Sequence, residues 1–263
     1  MKDTEELKFT PTKWKTTDKR FVAFLDLLGF KDKVMRKSHS EIYEELSKIS
    51  KIKELIEKNS LKKQIKFQDC DVYVVSFSDS IVVFSKNDSF ENFEYFLIVI
   101  RALFSNSIRE RIALKGGMAY GEVSLNKTEQ IYFGQPIIDA YLTEEDVNYL
   151  GIVADSSINY FIKENIESFN ASMICKKLLF EEKSYLKCGK INHLNLDWFI
   201  LTQRNHESLK AEEKIFNIQE LLNSFNCTVS GNPRRYIDNT KELLQLAFNL
   251  DKINLDTLSS KDL

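Results

Sequence analysis

Proline and glycine are scarce: 3 and 8 residues in a chain of 263. No Pro-rich or Gly/Ser-rich linker is present, and no internal repeat. The chain therefore reads as one domain with a C-terminal extension rather than two units on a tether. The four cysteines (Cys70, Cys175, Cys188, Cys227) include no C-x-x-C pair and read as reduced thiols of a cytoplasmic protein. The three histidines (His39, His193, His206) are scattered, with no zinc pattern and no H-E-x-x-H. No apolar run approaches the roughly 18–20 residues of a membrane span. The first residues, "MKDTEELKFT", are charged and lack the apolar core of a signal peptide, so export is not expected. Charge of neither sign dominates. A net charge of −2 argues against nucleic acid and against anionic membrane as partners.

What is present alternates. Residues 20–26 read as a buried strand, and residues 41–59 carry apolar side chains at helical spacing. "DVYVVSF" (71–77) and "SIVVFS" (80–85) are β-branched runs joined at Ser78-Asp79, a hairpin. Residues 89–111 read as a helix capped by Ser89, whose stripe of Phe93, Phe96, Leu97, Ile100 and Phe104 is core or dimer packing. A strand with an internal glycine pair follows (112–125), then the short strand "QIYF". A helix opens with Pro136 near its first turn, "GIVAD" is a strand, and a further helix begins at Ser156. Beyond Ala171, "ICKKLLF" and "LDWFIL" look like strands, and 211–225 and 236–250 like helices. The expected fold is α+β: a mixed or antiparallel sheet with helices on one face. The expected divisions are an N-terminal lead over 1–19, a catalytic domain over 20–200, and a helical extension over 201–263 packed on the same domain.

The stretch "FVAFLDLLGF" (21–30) buries one carboxylate, Asp26, in an otherwise apolar run. An unpaired aspartate there costs several kcal/mol, so an arginine, a backbone cap or a metal ion must answer it. A strand followed by "DLLG" and a helix aims the N–H groups of Leu28, Gly29 and Phe30 outward, an arrangement that suits phosphate. A magnesium ion at the strand end needs a second carboxylate nearby, and Asp79, at the hairpin tip, is the candidate. Each aspartate also has a plain reading, Asp26 as a helix cap and Asp79 as a turn residue. Acidic "TEED" (143–146) reads as an exposed helix face, and "PRRY" (233–236) as a solvated basic turn.

Four segments in order, "FLDLLGF", "SFSDSIVVF", "LKGGMAYGEV" and "IYFGQPIIDAYLTEE", resemble the class III nucleotide cyclase catalytic domain, with a ferredoxin-like core. The wording is most similar to the bacterial pyrimidine cyclases of the Pycsar anti-phage system, and "NPRRYIDNT" also resembles a segment common there. The resemblance covers roughly residues 20–160, and more weakly 230–245. It implies a cytoplasmic lyase that converts UTP, or less favourably CTP, to the 3′,5′-cyclic nucleotide and pyrophosphate. It implies two Mg²⁺ or Mn²⁺ ions held by Asp26, Asp79 and the carbonyl of Leu27. Phosphates would meet Leu28, Gly29, Phe30 and Lys115, and the base would meet Val75, Phe77 and Ile131. The active form would be a head-to-tail homodimer.

The departures from the family pattern are informative. Val75 and Ile131 stand where adenine-reading Lys and Asp are usual, so the ordinary contacts to ATP are missing. Ile138 and Leu142 stand where the catalytic helix usually carries Asn and Arg, so another cation, with Lys115, Lys187 and Lys190 as candidates, would have to offset transition-state charge. Two other readings stay open: an adenylyl or guanylyl cyclase with unusual base contacts, and a degenerate cyclase-like binding or regulatory module.

Overall fold

The computed structural model describes residues 9–57, 64–198, 222, 225 and 232–248. The strands are β1 (Thr17–Leu27), β2 (Val72–Phe77), β3 (Ser80–Ser85), β4 (Leu114–Asn126), β5 (Ile131–Phe133), β6 (Ile152–Ala154), β7 (Leu179–Leu186) and β8 (Gly189–Leu196). They form one sheet in the order β2-β3-β1-β4-β6-β8-β7, with β5 paired to β4. Every pairing is antiparallel except β4 with β6. The mixed α+β sheet expected from the sequence is therefore present.

The period of two along β1 divides the molecule. Phe21, Ala23, Leu25 and Leu27 join the larger core. They pack with Phe93, Phe96, Leu97, Ile100 and Phe104, all fully buried, of α3 (Phe90–Arg109), so the aromatic stripe is core. Ser89 caps α3, its hydroxyl accepting from the Asn92 N–H. Also on this side is α2 (His39–Glu57), with Ile49, Ile52 and Ile56 in the same core. Val22 belongs to a second cluster with Phe84, Ala119, Val123 and Ala140, against which Phe24 packs. Ala140 lies on α4 (Gln135–Asp146), so α4 covers the opposite face. The expectation of helices on one face is corrected here. Buried α4 side chains number only Pro136, Ala140 and Glu144, too narrow a stripe for apolar periodicity to assign a face. Contact is made through a glycine instead: a Cβ on Gly117 would lie 2.3 Å from the Ala140 carbonyl oxygen and 2.7 Å from the Glu144 nitrogen.

Two short helices, α5 (Ser156–Glu164) and α6 (Ile166–Ala171), follow β6. "ICKKLLF" is not a strand throughout. Met173–Leu178 is helix α7, because the Ser172 hydroxyl caps it by accepting from the Cys175 N–H and buries Cys175 and Leu178 at i, i+3. Alternation begins only at Leu179. "LDWFIL" is likewise corrected: β8 ends at Leu196, and Trp198 is a fully buried core residue whose indole N–H donates to the Leu150 carbonyl. Residues 199–201 lie outside the described residues, as does the helix expected over 211–225 except Leu222 and Phe225. The helix expected over 236–250 is observed as α8 (Asn232–Phe248). Cys70, Cys175 and Cys188 are free thiols, and Cys227 lies outside the described residues. Among the described residues no helix is long and apolar enough to cross a membrane.

Candidate active site

The side-chain alternation that buries Phe21 to Leu27 on one face puts Asp26 on the other, beneath α4. Its strand neighbours are Ser80 on β3 and Lys115 on β4. The β2–β3 turn reaches this point through Ser78, which takes a left-handed conformation (φ 56°). The Leu27 N–H then donates to the Asp79 carbonyl at 3.0 Å. Two aspartates 53 positions apart are thereby held at one sheet edge. Asp26 is not a helix cap. The cap of α1 (Phe30–Arg36) is Gly29, in the left-handed region with φ 73°, and no side chain caps it.

No arginine among the described residues answers Asp26 either. The cation beside it is Lys115, and Lys115 is already committed. Its Nζ pairs with Glu144 Oε1 at 2.8 Å and donates to the Glu144 and Glu145 carbonyls at 2.9 and 3.4 Å. Lys115 is 7% exposed and Glu144 3%. Asp26 therefore sits in net negative surroundings. Its carboxyl is raised to about 7, first by burial, then by Glu144 and Asp79, against the pull of Lys115 and the Leu27 backbone. A carboxylate with this surplus of negative charge suits a cation. The donors present are hard oxygens, as Mg²⁺ or Mn²⁺ requires. Among the described residues no group of three or more His, Cys, Asp or Glu side chains has metal-site spacing. The protein would thus supply two carboxylates and leave the other positions to phosphate and water, a common arrangement for magnesium.

The other residues singled out from the sequence divide. The Leu28 N–H is taken by the Ala113 carbonyl at 2.9 Å, which leaves those of Gly29 and Phe30 at the start of α1. Phe77 lies in line with Asp26 across β3, through the pairs Phe77–Ser80 and Ser80–Asp26, and is 83% exposed. Val75, two positions back, shares that face. Ile131 lies at the far end of β4, opposite Asn126. Its neighbour Tyr132 meets Tyr73 hydroxyl to hydroxyl at 3.1 Å and packs with Val75 in the same cluster, so alternation turns Ile131 to the other face of the sheet. Ile138 and Leu142 are exposed on α4. Lys187 stands at the β7–β8 turn, its N–H donating to the Asp146 carbonyl, and Lys190 pairs with Glu242 at 2.7 Å.

Sequence reasoning missed Glu144, reading "TEED" as an exposed helix face. The available signal was Ala140 and Glu144 at i, i+4 opposite a glycine in a strand. It also read "PRRY" as a turn, whereas it lies in α8, with Arg234 and Arg235 exposed and Tyr236 turned inward.

No protein-family model and no curated protein matches the chain. Solved structures do resemble it. The catalytic core of a rhodopsin-guanylyl cyclase with converted specificity, in complex with ATPalphaS, is 16% identical over 70% of this chain and 98% of that chain, with a TM-score of 0.49. The monomeric guanylyl cyclase domain of the RhoGC fusion protein from the aquatic fungus Blastocladiella emersonii is 15% identical over 68% and 100%, with a TM-score of 0.44. The adenylyl cyclase CyaB from P. aeruginosa is 12% identical over 70% and 96%, with a TM-score of 0.41.

Proposed function

We propose that this protein is a nucleotide cyclase of the class III type, acting on a pyrimidine nucleoside triphosphate, UTP before CTP, and making a second messenger in bacterial anti-phage defence. The observation that carries the reading is the meeting of Asp26 and Asp79, from separate motifs, in a negatively charged edge whose neighbouring cation, Lys115, is already paired with Glu144. The ordered motif set supports it from the sequence side, and the apolar Val75 and Ile131 support a pyrimidine over a purine.

Asp26, Asp79 and the Leu27 carbonyl would hold two divalent ions. When bound, these ions lower the pKa of the ribose 3′-hydroxyl and neutralise triphosphate charge. The chain's own groups orient the substrate. The N–H groups of Gly29 and Phe30 would face the phosphates, and Gly29, with no atom other than those of its chain neighbours within 4 Å of where its Cβ would stand, leaves room for them. Phe77 and Val75 offer apolar surface to a base. Tyr141, Leu142, Ile138, Ile131 and Phe133 are all more than 40% exposed. Exposed large apolar side chains of this number suit a protein partner, and the occupant proposed is a second copy, head to tail.

The test is incubation with UTP, CTP, ATP and GTP in turn with Mn²⁺, products being resolved by chromatography and mass. Cyclic UMP or cyclic CMP is expected from the wild-type chain and none from Asp26→Asn or Asp79→Asn chains that remain folded. Turnover confined to ATP or GTP would replace the pyrimidine assignment with the purine one. Full activity in both aspartate variants would remove the site.

A further inference from the structure

Helix α8 has no part in the chemistry above, yet it is anchored beside it. Ile237, Thr240, Leu243 and Leu244 are buried, one stripe at i, i+3, i+6 and i+7. The Thr240 hydroxyl accepts from the Leu150 N–H at 2.8 Å and donates to the Tyr236 carbonyl at 2.6 Å. The Asn239 amide donates to the Asn148 carbonyl at 2.7 Å. These bonds fix α8 to the connection between α4 and β6, a few residues beyond Glu144. The ring of Tyr236 is thereby held with Lys115 Nζ 6.0 Å from its centroid. Its phenol is raised by burial and lies within the electrostatic reach of Lys187, Glu144 and Asp26.

We propose that Tyr236 is a positioning residue for the site: α8 holds its ring over the Lys115–Glu144 pair, shutting water out and fixing the Lys115 charge beside Asp26. A lysine ammonium is a strongly hydrated point charge on a flexible stem. Pairing alone does not immobilise it where water can compete, but pairing under an aromatic face does. The Lys115 charge opposes the negative potential at Asp26, so its place sets how favourably a polyphosphate approaches that edge. This role in turnover rests on the nucleotide-cyclase reading; the sealing of Lys115 does not.

The experiment therefore has two readouts on the full chain, for wild type, Tyr236→Phe and Tyr236→Leu. The first is trace acetylation of lysines without nucleotide, mapped by peptide mass spectrometry with exposed Lys51 as the internal standard. Lys115 should react slowly in wild type and Tyr236→Phe, and about fivefold or more faster in Tyr236→Leu. The second is steady-state kinetics. KM for the nucleotide should rise about fivefold in Tyr236→Leu with kcat nearly unchanged, and Tyr236→Phe should restore it. A smaller folded fraction would lower kcat and leave KM alone. Equal Lys115 reactivity in Tyr236→Leu and wild type overturns the seal. Faster reactivity with unchanged KM overturns the positioning role. A wild-type chain that cyclises no nucleotide overturns the cyclase reading and with it the kinetic role, while the acetylation result still decides the seal.

Discussion

At the scale of single residues, Asp26 carries a conflict between folding and function. An unfolded aspartate ionises near 3.8, whereas Asp26 in the folded chain is raised to about 7. Between those values the folded state binds the extra proton, so stability falls as pH rises through the window and the whole penalty is present above about pH 7. Asp26→Asn removes the ionisation. Without divalent ions it should be more stable than wild type at pH 8 by about 2 kcal/mol, after discounting for partial exposure and screening, with the gain vanishing toward pH 4. Added Mn²⁺ should reverse the order, raising the melting temperature of wild type and not of the variant. Urea unfolding at pH 5 and pH 8 with and without Mn²⁺ measures both, and a variant less stable than wild type at pH 8 in chelator would show that Asp26 is compensated within the fold. Such a residue was legible in the sequence because an acid inside "FVAFLDLLGF" violates the strand's own pattern. Glu144 was not legible from its own helix, because one acid among the four on α4 breaks no pattern until the sheet beneath it is known.

Among elements, the strands and helices with strong periodicity fell where the sequence put them. The buried strand at 20–26 is the core of β1, the two β-branched runs are β2 and β3 with the turn at Ser78-Asp79, and residues 89–111 contain α3. The failures lie where one element abuts another without a Gly or Pro between. "ICKKLLF" is apolar enough for a strand, yet the Ser172 cap decides for helix over its first five residues. The face covered by α4 was beyond reach because it docks through backbone rather than side chains. That docking makes a sharp prediction. In Gly117→Ala the new methyl would stand 2.3 Å from a backbone oxygen of α4 and 2.7 Å from a backbone nitrogen, so the helix must move. A loss on the order of 3 kcal/mol is expected, read as a lower denaturant midpoint at unchanged slope. In any fraction that stays folded, the Lys115–Glu144 pair should be disturbed and Lys115 become reactive to acetylation. Unchanged stability would mean that α4 is not seated on Gly117.

For the molecule as a whole, the residues proposed for one reaction lie at two ends of one sheet and on opposite faces of it. Asp26, Asp79, Lys115 and Glu144 share an edge, with Lys115 opposite Asp26, while Ile131 stands opposite Asn126 at the other end of β4. A head-to-tail dimer brings the ends of two copies together, and the apolar side chains exposed on α4 and β5 lie between them. Complementation follows from this division. Asp26→Asn chains mixed with Ile131→Arg chains should recover about a quarter of the wild-type rate, because random pairing makes half the dimers mixed and each mixed dimer has one intact site of two. Asp26→Asn mixed with Lys115→Gln should recover nothing, since both lesions fall in the same half-site and every composite site then lacks one or the other. Leu142→Glu should remove recovery in the first mixture by loosening the interface, with monomers appearing in sedimentation at micromolar concentration. Recovery from the Asp26→Asn and Lys115→Gln pair would place those two residues in different half-sites, whereas no recovery from the Asp26→Asn and Ile131→Arg pair, or full-rate cyclisation by a monomer, would assign the reaction to a single chain. The exposed apolar side chains of α4 would then need an occupant other than a second copy.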